Sequence, residues 1–133
     1  MISKPLASMY TVAVRRGFTA VHFLVGGDWG AENRLHNHDY VVEVRLEGRT
    51  LDRHGYLADI DAVAAALEAQ VDRYRETNLN DQPEFAGLNP SLEHFTRILA
   101  EALAAALAMP GLLALAVRLW ENADAWAEYR CEW

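Results

Sequence analysis

One cysteine among 133 residues rules out an internal disulfide and a four-thiol zinc site. A disulfide-stapled secreted scaffold is therefore excluded. Positive charge is also short. Twelve Lys and Arg face 19 Asp and Glu, a formal net charge of -7. That balance excludes a phosphate-backbone binder, which needs clustered basic side chains. Long apolar runs are missing as well. The longest alanine-leucine stretch, Ile98 to Met109, carries Glu101 and is too short for a membrane span. Met1 to Tyr10 contains no signal-peptide core. Repeats, low-complexity segments and linker-like stretches are lacking too. The expectation is one domain over residues 1–133, cytoplasmic, with no nucleic-acid or membrane partner.

What is present is patterned. Tyr10, Val12 and Val14 alternate with Thr11, Ala13 and Arg15, a strand over Met9 to Arg16. Gly17 is expected to interrupt it before Phe18 to Leu24 continues. Tyr40, Val42, Val44 and Leu46 alternate with charged residues in a half-buried antiparallel strand, His38 to Glu47. Asp52 to Gly55 reads as a turn. Asp59 stands where a helix N-cap belongs, before Ile60, Val63, Leu67, Val71 and Tyr74 at helical spacing. Thr77 to Leu88 reads as loop. A second helix starts at Asn89-Pro90, with Pro90 at its first position. Its stripe is Leu92, Phe95, Leu99, Leu103 and Leu107, and Pro110-Gly111 stops it. Leu113 to Glu121 and Trp126 to Trp133 are the last strands. This order predicts an α+β fold, an antiparallel sheet under one layer of two helices.

Five histidines carry the first chemical signal. His36 and His38 are two apart on a strand, so both imidazoles point to one face. His22 shares parity with Phe18 and Ala20 near the end of the preceding strand. If the two strands pair antiparallel, three imidazoles converge. Three His with an open fourth position is a catalytic zinc arrangement, with Zn–N distances of about 2.0–2.1 Å. Neutral imidazole also suits Cu, Ni and Fe. Spacing alone does not choose between a metal centre and unrelated polar residues. His54, in a turn, is expected in solvent, and His94 on a surface or in packing.

Two carboxylates add a second signal. Glu121 shares parity with Leu115, Val117 and Leu119, so it points toward the apolar face, a costly position unless paired. It either grips a heterocycle offering two N–H donors or lies past the sheet edge in water. Glu32 lies four residues before His36. It is a general base, a solvated loop charge or a partner of Arg34; position alone leaves all three open.

Together these residues resemble the 6-pyruvoyl-tetrahydropterin synthase family, which includes the 6-carboxy-tetrahydropterin synthases. Phe18-Thr19-Ala20-Val21-His22 and His36-Asn37-His38-Asp39-Tyr40 are similar to its Phe-x-Ala-Ala-His and His-Gly-His-x-Tyr. Gly55 to Ile60, Leu79-Asn80 and Asn89-Pro90-Ser91-Leu92-Glu93 match further segments in order. The resemblance spans roughly residues 9–129. It implies the tunnelling fold (T-fold), whose subunits join sheets into a barrel and so remove unpaired edges. It implies a homo-hexamer of two trimers with pterin sites between subunits. It implies zinc on His22, His36 and His38, and Glu121 holding the pterin ring. Ser91, at a family Thr, is a weaker candidate for the pterin pocket.

The catalytic residues depart from the family. Its catalytic Cys should lie just before His-x-His, where this chain reads Glu32-Asn33-Arg34-Leu35. Its Asp-His pair should precede Leu-Asn, where Arg75-Glu76-Thr77-Asn78 stands. The lone Cys131 lies far along the chain and reads as packing. Losing Cys, Asp and His together removes one relay and keeps the binding residues. A subgroup with Glu in place of Cys resembles this chain at that point. It cleaves the side chain of 7,8-dihydroneopterin or its triphosphate to 6-hydroxymethyl-7,8-dihydropterin. The expectation is a zinc-dependent lyase with Glu32 as base. The alternatives are pyruvoyl- or carboxy-type synthesis on an altered pterin, and a non-catalytic pterin- or zinc-binding homologue.

Overall fold

A computed structural model describes residues 4–133. Two 13-residue strands, β1 (Tyr10–His22) and β2 (His36–Gly48), pair along their full length, from Tyr10↔Gly48 to His22↔His36. Then come α1 (Ile60–Tyr74) and α2 (Leu92–Ala106), and the short strands β3 (Ala114–Trp120) and β4 (Trp126–Glu132) close the chain. All neighbours are antiparallel in the order β1-β2-β3-β4. Both helices pack on one face, α1 over β1 and α2 over β3 and β4. No helix among the described residues is long and apolar enough to cross a membrane.

The alternation in the sequence becomes the two faces of this sheet. Phe18, Ala20, Tyr40, Val42, Val44, Leu46, Leu115, Val117 and Leu119 are buried under the helices. The opposite face of β1 to β4 is a lattice of ion pairs, with Glu43 between Arg15 and Arg45, and Glu128 between Arg45 and Arg118. Phe95 of α2 is the centre of the core. Its ring meets those of Phe18, Tyr40, Tyr74 and Phe85 with centroids 5.1–6.0 Å apart, at the steep angles aromatic quadrupoles favour.

Several expected boundaries move. Gly17 does not interrupt β1. It pairs with Val41 on the exposed face, and the inward parity of Val14, Phe18, Ala20 and His22 continues through it. Pro90 is not the first residue of α2. Ser91 is the N-cap, its Oγ accepting from the backbone N–H of His94 at 3.1 Å, and the helix begins at Leu92. Asp59 caps α1 as expected, accepting from Asp61 and Ala62. Val63, Leu67, Val71 and Tyr74 are buried, but Ile60 is 52% exposed in a groove beside Asp52 and Tyr56. The 77–88 loop contains two 3-10 turns, Leu79–Asp81 and Pro83–Phe85. Glu121 falls one residue beyond β3.

After α1 the chain lies along the outer side of β1. Glu76 N–H bonds the Thr19 carbonyl at 2.6 Å and Val21 N–H bonds the Thr77 carbonyl at 2.9 Å. This contact carries the 77–90 connection past the end of β1 and brings Pro90 to His22.

Candidate functional site

The register places His22 directly opposite His36, and Ala20 opposite His38. Side chains two apart on a strand share a face, so the three imidazoles meet. Their ring centroids are 4.6–4.9 Å apart. His36 Nε2 lies 3.0 Å from His22 Nε2 and 3.2 Å from His38 Nε2. His22 is buried, while His36 and His38 are half-buried.

Two of the rings are fixed by main-chain carbonyls. His22 Nδ1 is 2.9 Å from the Pro90 oxygen, and His36 Nδ1 is 2.7 Å from the Arg34 oxygen. A carbonyl only accepts, so each Nδ1 carries a proton, and a neutral ring then presents its Nε2 lone pair. Burial, with His38 adding to it, pushes His22 down to about 4, so this ring is neutral at neutral pH. At 3.0 Å the His22 and His36 Nε2 atoms need a positive charge shared between them, either a proton or a metal ion. This donor set fits a metal ion, and backbone carbonyls on the distal nitrogens are the usual support for His ligands.

The loop after β1 brings a carboxylate to this cluster. Gly26 and Gly30 have φ of 88° and 63°, a region that side chains rarely adopt, and they bracket a tight excursion ending in the 3-10 turn Gly30–Asn33. Asn33 ties it together. Its Nδ2 donates to the carbonyls of Leu24 (3.1 Å) and Gly27 (3.0 Å), and its Oδ1 accepts from Trp29 N–H at 2.7 Å. Leu24 N–H bonds the Glu32 carbonyl at 2.9 Å. Two more asparagines anchor the loop's start. Asn80 bonds both backbone groups of Phe23, and Asn89 Oδ1 accepts from Val25 N–H.

The result is a cavity of about 330 Å3 lined by His22, His38, Glu32, Ser91 and Glu121 together. Five of the six residues singled out in the sequence therefore share one cavity. The sixth, His36, reaches it through its contacts with the other two imidazoles. Glu32 is exposed, and its charge is felt at His22. Glu121 is half-buried and near the buried Tyr40, whose hydroxyl is pushed up chiefly by burial and then by the Glu121 charge. Glu121 and His38 also border a cleft of about 560 Å3 on the helix-free face, with Arg15 and Trp120. Trp29, Asn89 and Glu93 also line the smaller cavity; Asn89 and Glu93 stand in the segment matched in the sequence but were given no role there, and Trp29 was missed. Gly27 and Gly30, close on either side, were the local hint for Trp29.

The remaining candidates lie elsewhere. Cys131 is on β4 opposite Leu115, partly buried, with its thiol pushed up by burial. His54 is exposed in its turn. His94 is half-buried, its Nδ1 2.8 Å from the Asn89 carbonyl.

Known proteins share this fold. A sequence family described as 6-pyruvoyl tetrahydropterin synthase matches residues 11–132. A candidate 6-carboxy-5,6,7,8-tetrahydropterin synthase of Archaeoglobus fulgidus is 30% identical over 120 residues, 90% of this chain and 94% of that protein. The solved 6-pyruvoyl tetrahydropterin synthase of Caenorhabditis elegans superposes with a TM-score of 0.79 at 21% identity, covering 99% of this chain and 100% of that one. The Plasmodium vivax 6-pyruvoyltetrahydropterin synthase, solved with a catalytic glutamate changed to alanine, gives 0.79 at 14% identity over 95% and 99%. These likenesses establish the T-fold, with a sheet that stays open within one chain.

Proposed function

The chain belongs to the 6-pyruvoyl tetrahydropterin synthase family, and from that premise we propose that it is a zinc-dependent lyase. Its substrate is 7,8-dihydroneopterin or the triphosphate, and its product 6-hydroxymethyl-7,8-dihydropterin. One observation carries the reading: Glu32, two of the three clustered imidazoles, Ser91 and Glu121 line a single cavity that contains no thiol. The missing thiol favours this cleavage over pyruvoyl- or carboxy-type synthesis.

His22, His36 and His38 are the zinc ligands, through Nε2. Zinc there would polarise the oxygens of the substrate side chain and acidify its hydroxyls. Glu121 accepts from adjacent N–H groups of the pterin ring, and Ser91 keeps its hydroxyl proton free to donate. Glu32 takes the proton from the hydroxyl on the second side-chain carbon. The bond between the first and second carbons then breaks. Its electron pair passes into the conjugated ring, and the second carbon departs as an aldehyde. A proton returned to the first carbon completes the product. A catalytic glutamate in the Plasmodium vivax relative supports a carboxylate in this role. The same proposal makes the protein a cytoplasmic homo-hexamer of two trimers, which would cover the open edges of β1 and β4.

The test is direct. Zinc-loaded protein is incubated with each substrate and the products are separated by chromatography. Wild type should yield 6-hydroxymethyl-7,8-dihydropterin, and Glu32→Gln should lose about 10²–10⁴ in kcat with zinc retained. Absence of product from zinc-loaded wild type would sink the lyase reading.

A further inference from the structure

Resting on the zinc reading, we infer that His94 is a positioning residue for the metal ligand His22, acting through the turn Asn89-Pro90-Ser91. Two imidazoles of the cluster are held by main-chain carbonyls. His36 uses Arg34, two residues away, whereas His22 uses Pro90, 68 residues away. The orientation of His22 therefore depends on where a distant turn is held. Pro90 cannot hold itself by hydrogen bonding. It has no N–H, and its carbonyl is engaged by His22 at 2.9 Å.

Its two neighbours do the holding. On one side the Asn89 side chain accepts from Val25 N–H at 2.8 Å. On the other, Ser91 N–H donates to the Asn89 carbonyl at 2.7 Å, closing a three-residue γ-turn with Pro90 at its centre. So small a ring bends that bond away from linear, which weakens it. The His94 ring brings a second donor to the same oxygen, Nδ1 at 2.8 Å. The carbonyl only accepts, so His94 Nδ1 carries a proton, and both lone pairs of the oxygen are satisfied.

The start of α2 makes this donor possible. His94 is the third residue of the helix, and its own N–H bonds Ser91 Oγ at 3.1 Å. In a capping box, a Glu or Gln at this position accepts from the N–H of the cap residue. Here the Asn89 carbonyl takes that N–H, and His94 donates to the carbonyl. A carboxylate, which only accepts, could not replace it. Phe95 and Leu99 bury α2 in the core, so the imidazole ties the turn to a rigid element. His94 is half-buried and does not line the cavity; it acts at one remove, through Pro90 and then His22.

The experiment measures zinc affinity by competition with a chromophoric chelator, on the full chain in its native assembly, for wild type, His94→Leu and His94→Asn. Leucine keeps the bulk and removes the donor, whereas the Asn amide nitrogen can stand in for Nδ1. Losing a group that orients a metal-bound His costs about 10–100-fold in affinity. His94 stands one contact further out, so His94→Leu should weaken zinc by about three- to tenfold and His94→Asn by less than about twofold. Cobalt in place of zinc gives a readout that lost stability alone would not move. The visible bands of His94→Leu should shift from wild type, and those of His94→Asn should coincide with it. Unchanged zinc affinity in His94→Leu overturns this inference and leaves the zinc reading standing. Equal weakening in both variants also overturns it, because the donor is then not what matters. If His94→Leu does not fold, nitrogen NMR of histidine-labelled wild type decides: a proton on His94 Nδ1 supports the inference, and its absence overturns it. Wild type that takes up no zinc removes the zinc reading and this inference together.

Discussion

His22 and His36 stand directly opposite one another in the β1–β2 register, with their Nε2 atoms 3.0 Å apart and each Nδ1 on a main-chain carbonyl. The carbonyls of Pro90 and Arg34 hold a proton on each Nδ1, and two neutral rings would then set their Nε2 lone pairs against each other. The cluster is thus prepared for a cation before any arrives. His36→Ala removes the central member, the ring within hydrogen-bonding distance of both others. Elemental analysis should find about one zinc per wild-type chain and less than about a tenth of that in the variant. Chelation should destabilise wild type by about 2.7 kcal/mol relative to zinc at a hundredfold excess over Kd, and leave His36→Ala unmoved. Unchanged zinc in the variant would remove the metal centre.

Asn33 controls where Glu32 points. Its side chain makes three bonds to the backbone of its own loop, to Leu24, Gly27 and Trp29. A neutral bond of this kind contributes about 0.5–1.5 kcal/mol net. Their larger effect is local, since the loop has two positive-φ glycines to loosen around. Asn33→Ala should keep its zinc and global stability to within about 2 kcal/mol, while kcat falls at least tenfold through misplacement of the base. A wild-type kcat in Asn33→Ala would show that Glu32 is positioned by something else.

The histidine cluster was legible because strand periodicity is strict. Once His22, His36 and His38 fall on like parities of adjacent antiparallel strands, the pleat aims them at one point. The elements and their order followed from the same alternation and from helical stripes. Two boundaries did not. Gly17 fits either a break or a continuous strand, and only its pairing with Val41 decides. Pro90 and Ser91 are both good helix starters, and the cap bond to His94 N–H selects Ser91. The cavity wall was least legible. Trp29 comes from one segment and Asn89 and Glu93 from another, brought together by asparagine side chains bonding distant backbone. The carbonyls that orient the histidines leave no mark in a sequence, because every residue carries one.

Ser91 has two roles that substitutions can separate. As N-cap it holds the first turn of α2, and truncating such a cap costs about 1 kcal/mol. Ser91→Ala should therefore lower the urea midpoint, and Ser91→Asn, another good cap, should restore most of it. The proposed contact with the pterin needs the small hydroxyl at the cavity wall. Both variants should then bind neopterin several-fold more weakly. Restored affinity in Ser91→Asn would confine Ser91 to capping.

Glu84 ties the end of α1 to the turn that leads toward the site. Its carboxylate receives the Arg73 guanidinium and the hydroxyl of the buried Tyr74, the latter at 2.8 Å. The hydrogen bond from Arg73 is the chief cause that holds the Glu84 carboxyl below its ordinary value of 4.5. The folded state thus binds fewer protons here than the unfolded state. This stabilisation is fully present above about pH 4.5 and is lost as pH falls through the depressed folded value. Glu84→Gln should cost about 1 kcal/mol at pH 7, an amount kept small by solvent screening of a partly exposed pair. Urea unfolding at pH 7 and at successive steps below pH 4.5 should show the wild-type advantage shrinking toward zero. A constant difference across that range would mean that packing of the Gln side chain, and not the charge on Glu84, accounts for the loss.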